Sequence, residues 1–119
     1  MEIDVTAFVA EHSMWDCAHS IFEGNPTAGR DTWEAALEIS RTDPACMFVN
    51  DDTRQELRDH FASFGAWARD EIEAWDDAEL NALLLQFVAG DVRNLEEHPD
   101  AEPGRTYRHE GRTFISIGM

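Results

Sequence analysis

The residues of this chain that could do chemistry lie near its start and in its acidic middle. His12, Cys17 and His19 are close in sequence, but on a helix Cys17 and His19 would point nearly opposite ways, which is poor for shared metal ligation. The sequence has no phosphate-binding loop, nucleotide-binding glycine motif, serine-hydrolase elbow or zinc-protease motif. We therefore predict no metal, no cofactor and no enzymatic activity.

Two cysteines, Cys17 and Cys46, are present, and neither belongs to a C-x-x-C motif. Such a pair is neither a disulfide framework nor a zinc ribbon. The chain opens Met1-Glu2-Ile3-Asp4, without the basic segment that begins a signal peptide. We therefore expect both cysteines to be reduced and at least partly buried.

Asp91 is the one acidic residue with an apolar sequence environment. On a continuous helix it would fall within the stripe that includes Phe87 and Val88. The preceding Gly90 offers the alternative, in which the helix kinks and Asp91 caps a new turn. The sequence leaves open whether Asp91 is a buried carboxylate or a cap.

The charge balance is the most informative property of the composition. There are 25 Asp and Glu residues against 9 Arg and no Lys, a net charge of −16. Nucleic acids and anionic membranes are bound through clustered Lys and Arg, and no apolar run approaches the roughly 18 residues of a membrane span. The composition therefore predicts no direct binding to nucleic acid or membrane, and favours a basic protein partner.

The acids are densest in residues 70–79, beside Trp67 and Trp75. Aromatic side chains next to carboxylates can anchor a protein interface, although the aromatics here could equally pack in the core and the acids could form a merely solvated face. We predict that the partner-binding surface comprises both tryptophans and the six acids of this stretch: Asp70, Glu71, Glu73, Asp76, Asp77 and Glu79.

The elements that must position these residues are mostly helices. Asp31, Asp52 and Asp76 are each followed three residues later by Glu or Gln, which is capping-box spacing. Helical periods follow each cap, with the strongest at 77–97, and Pro44 and Gly65 are expected helix stops. After residue 104 the period changes to two, and residues 105–109 and 112–117 flank a two-residue turn. We predict a single domain, residues 1–119, of the α+β class and mainly helical, with four to five helices packed with a C-terminal β-hairpin.

One part of the chain also resembles known proteins. The stretch Phe64-Gly65-Ala66-Trp67, then Glu71-Ile72 and Trp75, runs into ELNALLLQFVAGDVR at residues 79–93, and the chain closes Ile117-Gly118-Met119. This pattern resembles small uncharacterised acidic proteins of proteobacterial plasmids, phages and other mobile elements. The resemblance implies an accessory protein of the bacterial cytoplasm and, by analogy of class, a counter-defence factor of the anti-CRISPR or anti-restriction type.

The charge and the resemblance together predict a function. We expect a non-enzymatic inhibitor, a DNA mimic whose acidic surface binds a basic groove of a nucleic-acid-handling protein or ribonucleoprotein such as a CRISPR effector. The alternative is a small antitoxin-like or immunity-like module that neutralises a basic protein partner. Stable co-purification with one cognate partner would favour the alternative.

Overall fold

The computed structural model of the chain describes residues 13–24, 32–97, 106–109 and 112–115. Their secondary structure is mainly helical, which confirms that part of the fold prediction. The described residues form five α-helices: α1 (Met14–His19), α2 (Thr32–Thr42), α3 (Arg54–Ala62), α4 (Arg69–Ala74) and α5 (Asp77–Glu97). A π-helical turn, Ser20–Gly24, continues α1, and a 3-10 turn, Pro44–Cys46, follows α2.

Two short strands follow the helices. Strand β1 (Thr106–His109) pairs antiparallel with strand β2 (Arg112–Ile115), and Tyr107 lies opposite Phe114. The predicted turn between them lies outside the described residues. A C-terminal hairpin that packs on the helices therefore stays a prediction.

Helix α5 is the centre of the core, and α1, α2 and α3 all pack against it. Between Leu80 and Ala89 its buried residues point in every direction around the helix axis rather than along one stripe, because neighbouring elements cover it from several sides. The helix also continues without interruption through Gly90 and Asp91, so no new helix starts at Asp91. Whether the Asp91 carboxylate is buried or caps a turn lies outside the described side chains. None of the helices in the described ranges has both the length and the apolar character of a membrane span.

Asn81 is the polar residue inside this apolar helix, and it is fully buried. Its Nδ2 donates to the backbone oxygen of Cys46 at 2.7 Å and to Ser40 Oγ at 2.8 Å, while its Oδ1 accepts from the backbone nitrogen of Phe48 at 2.7 Å. Ser40 Oγ in turn donates to the backbone oxygen of Ala36 at 2.8 Å. The Asn81 side chain thus attaches the 3-10 turn and the segment after it to the central helix. Its amide oxygen and its amide nitrogen both have hydrogen-bond partners.

The expectation of reduced cysteines is wrong for this structure, whereas the expectation of burial is confirmed. Cys17 on α1 and Cys46 in the 3-10 turn form a disulfide with their Cα atoms 5.7 Å apart, within the usual range for a bridge. The two residues are 7% and 5% exposed. The sequence could not reveal the pairing because the two cysteines are 29 residues apart and meet only through the tertiary fold.

The helix boundaries test the capping predictions. Helix α5 begins with the predicted capping box: the backbone nitrogen of Glu79 donates to Asp76 Oδ1 at 2.8 Å, and that of Asp76 donates to Glu79 Oε1 at 3.4 Å. Before α3 the predicted cap is wrong, because Asn50 Oδ1 accepts from the backbone nitrogens of Asp52 and Thr53 at 2.8 and 3.1 Å. The third predicted cap, Asp31, lies outside the described residues.

The predicted stop at Pro44 is confirmed, whereas α3 already ends at Ala62, with a right-handed cap at Ser63, before Gly65 is reached. Helix α2 ends at Thr42, immediately before the 3-10 turn that begins at Pro44. After α3 the chain continues in tight turns to Gly65, whose φ of 72° is left-handed and favours glycine. This turn directs the chain toward Trp67 and α4, where the predicted binding surface begins.

Candidate protein-binding site

The predicted surface folds as α4, the two residues after it, and the first turn of α5. Asp70, Glu71, Glu73 and Asp76 are exposed, while Asp77, Glu79 and both tryptophans are half-buried. The six acids are therefore all at least partly exposed. Their hydrogen bonds and ion pairs, however, divide them into different roles.

Asp77 is held by Arg54 of α3. Arg54 Nε donates to Asp77 Oδ1 at 2.5 Å and its Nη2 donates to Oδ2 at 2.7 Å, a two-pronged pair that joins α3 to the start of α5. The same Nη2 also donates to Asp51 Oδ1 at 2.8 Å. The hydrogen bonds from Arg54 lower the pKa of Asp77, and both carboxylates raise the pKa of the guanidinium. Asp77 is thus a structural ion-pair partner.

Glu73 belongs to a second ion-pair group, which joins α4 to α3. Its carboxylate lies 3.2 Å from Arg69 Nε, one helical turn away, and 3.7 Å from Arg58 Nη1. Arg69 also donates to Asp59, and this hydrogen bond lowers the pKa of Asp59. Arg58 Nη2 donates to the backbone oxygen of Trp75 at 3.0 Å, where α4 ends. Glu73 therefore helps to fix α4 against α3.

Asp76 and Glu79 form the capping box of α5. Asp76 also lies 3.9 Å from Arg41 Nη2, but both side chains are more than half exposed (60% and 54%). Exposed pairs at that distance contribute little to stability. Local helix capping is consequently the main structural role of these two acids.

Asp70 and Glu71, on the first turn of α4, are the two acids of the predicted surface that remain available. Both are exposed, and neither forms an ion pair with any residue in the described ranges. Their negative charges stand unneutralised between Trp67 and Trp75 in the chain. They are the acids of this stretch that a partner could bind without first breaking the fold.

The tryptophans form a row with a third one from α2. The ring centroids of Trp67 and Trp75 are 5.7 Å apart in an edge-on arrangement, and Trp33 lies 6.4 Å from Trp75. Trp67 also meets the buried ring of Phe61 at 6.4 Å. The row packs against the core and keeps a partly exposed side, so the core-packing use is confirmed and the interface use stays a prediction.

Sequence reasoning missed the residues that organise this surface. Arg69 and Glu73 have the spacing of a helical ion pair, which was a usable local signal. Trp33 and Arg54 carry no such signal, because their contacts with Trp75 and Asp77 join residues 42 and 23 positions apart. These contacts exist only once α2 and α3 have packed beside α5.

No group of three or more His, Cys, Asp or Glu side chains in the described ranges is arranged to hold a metal ion. Cys17, the thiol weighed as a ligand together with His19, is bonded to Cys46 instead. The described residues of this surface combine exposed charge on α4 with partly exposed apolar rings beside it.

Comparison of the chain with protein-family models, with curated proteins and with solved structures finds no match. The resemblance to acidic proteins of mobile elements therefore stays a prediction, and the functional argument depends on the geometry of the chain itself.

Proposed function

We propose that the chain is a non-enzymatic inhibitor that acts in the bacterial cytoplasm, where it binds a basic nucleic-acid-binding groove of a defence complex of the CRISPR or restriction type. The observation that carries the proposal is the pair Asp70 and Glu71. Both are exposed and unneutralised on a helix that the surrounding ion pairs hold in place. Half-buried tryptophans precede and follow that helix.

The electrostatic support comes from the arginines. In the part of the chain whose side chains are described, all four arginines (Arg41, Arg54, Arg58 and Arg69) lie within ion-pair distance of acids of this same region. The chain nevertheless keeps a net charge of −16. A groove lined by Lys and Arg attracts such a surface over long range and associates with it faster than with a neutral one.

The mechanical support comes from the way α4 is held. The helix has six residues, too few to be stable alone. It is fixed to α3 by the pairs of Arg69 with Asp59 and of Glu73 with Arg58, and by the buried Ile72. A surface that is already ordered loses less conformational entropy when it binds.

The proposal is tested by plasmid interference in bacteria. Cells that carry a defined CRISPR or restriction system are transformed with a targeted plasmid, with and without expression of the chain, across a panel of systems. We expect the chain to restore transformation in at least one system. Equal loss of the plasmid with and without the chain in every system would overturn the proposal.

Two charge-reversal variants distinguish an effect of the α4 acids on inhibition from an effect of the total net charge. Asp70→Lys with Glu71→Lys should abolish the restored transformation. Asp16→Lys with Glu38→Lys makes the same change in net charge at two exposed acids of α1 and α2 and should leave it intact. Equal loss in both variants would show that total charge, rather than this face, determines inhibition.

A further inference from the structure

The disulfide connects two parts of the chain that are attached to the core in different ways. Cys17 lies on α1 and Cys46 ends the 3-10 turn, 29 residues later in the sequence. How each part would be held without the bridge follows from its other contacts.

The segment that carries Cys46 is held independently of the bridge. The carbonyl oxygen of Cys46 and the backbone nitrogen of Phe48 are both hydrogen-bonded to the buried side chain of Asn81. Asp43 closes the 3-10 turn by accepting from the backbone nitrogen of Ala45 at 3.0 Å. Phe48 and Val49 are buried directly afterwards. Cys46 would therefore keep its position beside α5 when the bridge is reduced to free thiols.

The segment that carries Cys17 is attached to the core through apolar side chains and the bridge. Helix α1 has six residues and its continuing π-helical turn has five, a length at which a helix alone is marginal in water. Its Ser13 N-cap makes no capping hydrogen bond through its side chain. Beside the bridge, the buried Met14, Ala18 and Ile21 and the partly buried Trp15 and Phe22 attach it to the core.

We propose that the Cys17–Cys46 disulfide is a redox switch that controls the docking of Met14–Gly24 on the helical core. When the bridge is closed this segment is docked, and when the bridge is reduced the segment detaches while α2 to α5 stay folded. This inference rests on the cytoplasmic location proposed above but not on the identity of the partner. Cytosolic disulfides are characteristically transient and responsive to redox conditions, which fits a bridge whose one side is held without it.

The chemistry is a thiol–disulfide exchange with a dithiol reductant. One reductant thiolate attacks a bridge sulfur and forms a mixed disulfide, and the second reductant thiol then displaces the cysteine. Two electrons and two protons pass to Cys17 and Cys46, which become thiols, and the reductant becomes a disulfide. Because both cysteines are buried, the reductant reaches them only when the segment opens transiently.

The test is amide hydrogen exchange of the wild-type chain, followed by mass spectrometry, with and without dithiothreitol. Alkylation of free thiols in the same samples measures the fraction of molecules in which the disulfide is reduced. In the reduced protein we expect the protection of amides of Met14–Gly24 to fall by at least about tenfold more than the protection of amides of residues 80–89 on α5. Cys17→Ala with Cys46→Ala should match the reduced wild type and ignore the reductant.

Three results would overturn the switch. The segment could keep the same protection after reduction, all helices could lose protection together, or the protein purified without reductant could carry two alkylatable thiols. The comparison of oxidised and reduced wild type needs no substitution, so it decides the question even if the double variant does not fold.

Discussion

Arg54 binds Asp77 through two parallel hydrogen bonds, and this pair joins the start of α3 to the start of α5. The sequence assigns Asp77 to a binding surface, but the structure shows that its carboxylate already has a partner. The same holds for Glu73, which lies between Arg58 and Arg69. Intramolecular pairing therefore decides which acids of a dense acidic stretch can serve a partner.

Replacement of Asp77 by Asn should lower the thermal midpoint at pH 7, because Arg54 loses its two-pronged partner. Asp70→Asn is the matched control, since Asp70 is also a first-turn acid but forms no ion pair with the described residues. Its midpoint should stay within about a degree of the wild-type value. Scanning calorimetry of the three proteins checks the prediction, and an equal effect of both substitutions would contradict it.

The difference between wild type and Asp77→Asn should depend on pH in a definite direction. Because Arg54 lowers the pKa of Asp77 from 3.8 in the folded chain, the pair stabilises the fold above that pH. The stabilisation is lost as pH falls through the lower, folded-state pKa. The gap in thermal midpoint should therefore be constant from pH 7 to about 5 and shrink below about 4. A gap that widens on acidification would contradict this.

Replacement of Asn81 by Leu should destabilise the chain by at least about 2 kcal/mol, because it removes the amide to which the buried backbone groups of Cys46 and Phe48 are hydrogen-bonded. Ser40→Ala, which removes only one partner of the Asn81 amide, should cost about 1 kcal/mol. Urea unfolding monitored by far-UV circular dichroism measures both. A larger effect at Ser40 than at Asn81 would contradict the central role of Asn81.

Asn81 also shows how far sequence reasoning extends here. The caps and helical periods are local, so the sequence predicts α2, α3 and α5, the stop at Pro44 and the capping box at Asp76. The groups that Asn81 binds lie 33 and 35 positions away, and nothing in ELNALLLQFV distinguishes a buried asparagine from a solvated one. The disulfide and the tryptophan row were missed for the same reason, since each requires the packed helices.

Reduction of the disulfide should lower the free energy of unfolding by about 3 to 4 kcal/mol in the loop-entropy model, because the bridge closes a loop between residues 29 positions apart. Urea unfolding with and without dithiothreitol measures the change. Cys17→Ala with Cys46→Ala, which has no bridge, should show no dependence on the reductant. Equal stability of the wild type in both conditions would mean that the bridge contributes nothing.

The exposed acids of α4 should also govern the ionic surroundings of the neighbouring tryptophans, which can be measured without any partner. Negative charge concentrates caesium ions and repels iodide near the rings. Relative to free tryptophan, the fluorescence of the wild type should therefore be quenched more by caesium than by iodide at equal ionic strength. In chains that also carry Trp15→Phe, which removes the ring next to Asp16, Asp70→Lys with Glu71→Lys should reduce the caesium effect more than Asp16→Lys with Glu38→Lys, and equal changes would contradict a local field.

Glu73 differs from Asp70 and Glu71 because it takes part in ion pairs that support the fold. Glu73→Lys should lower the thermal midpoint, because it places a third cation beside Arg58 and Arg69. Asp70→Lys with Glu71→Lys breaks no ion pair among the described residues and should lower the midpoint less. Calorimetry of the two variants establishes this difference before any binding is measured.

The two variants should have the opposite order of effect on binding, which can be measured once the interference assay has identified a defence complex. The Asp70→Lys, Glu71→Lys variant should then be affected more than Glu73→Lys. Asp70→Lys with Glu71→Lys should slow association with that complex by about tenfold or more, and the wild-type rate should fall as salt rises from about 0.05 to 0.3 M, because electrostatic steering is screened. The Asp16→Lys, Glu38→Lys control should associate at close to the wild-type rate. Surface plasmon resonance gives these rates. If the α4 variant keeps its fold and the wild-type rate, Asp70 and Glu71 form only a solvated face, and the partner must be bound elsewhere on the chain.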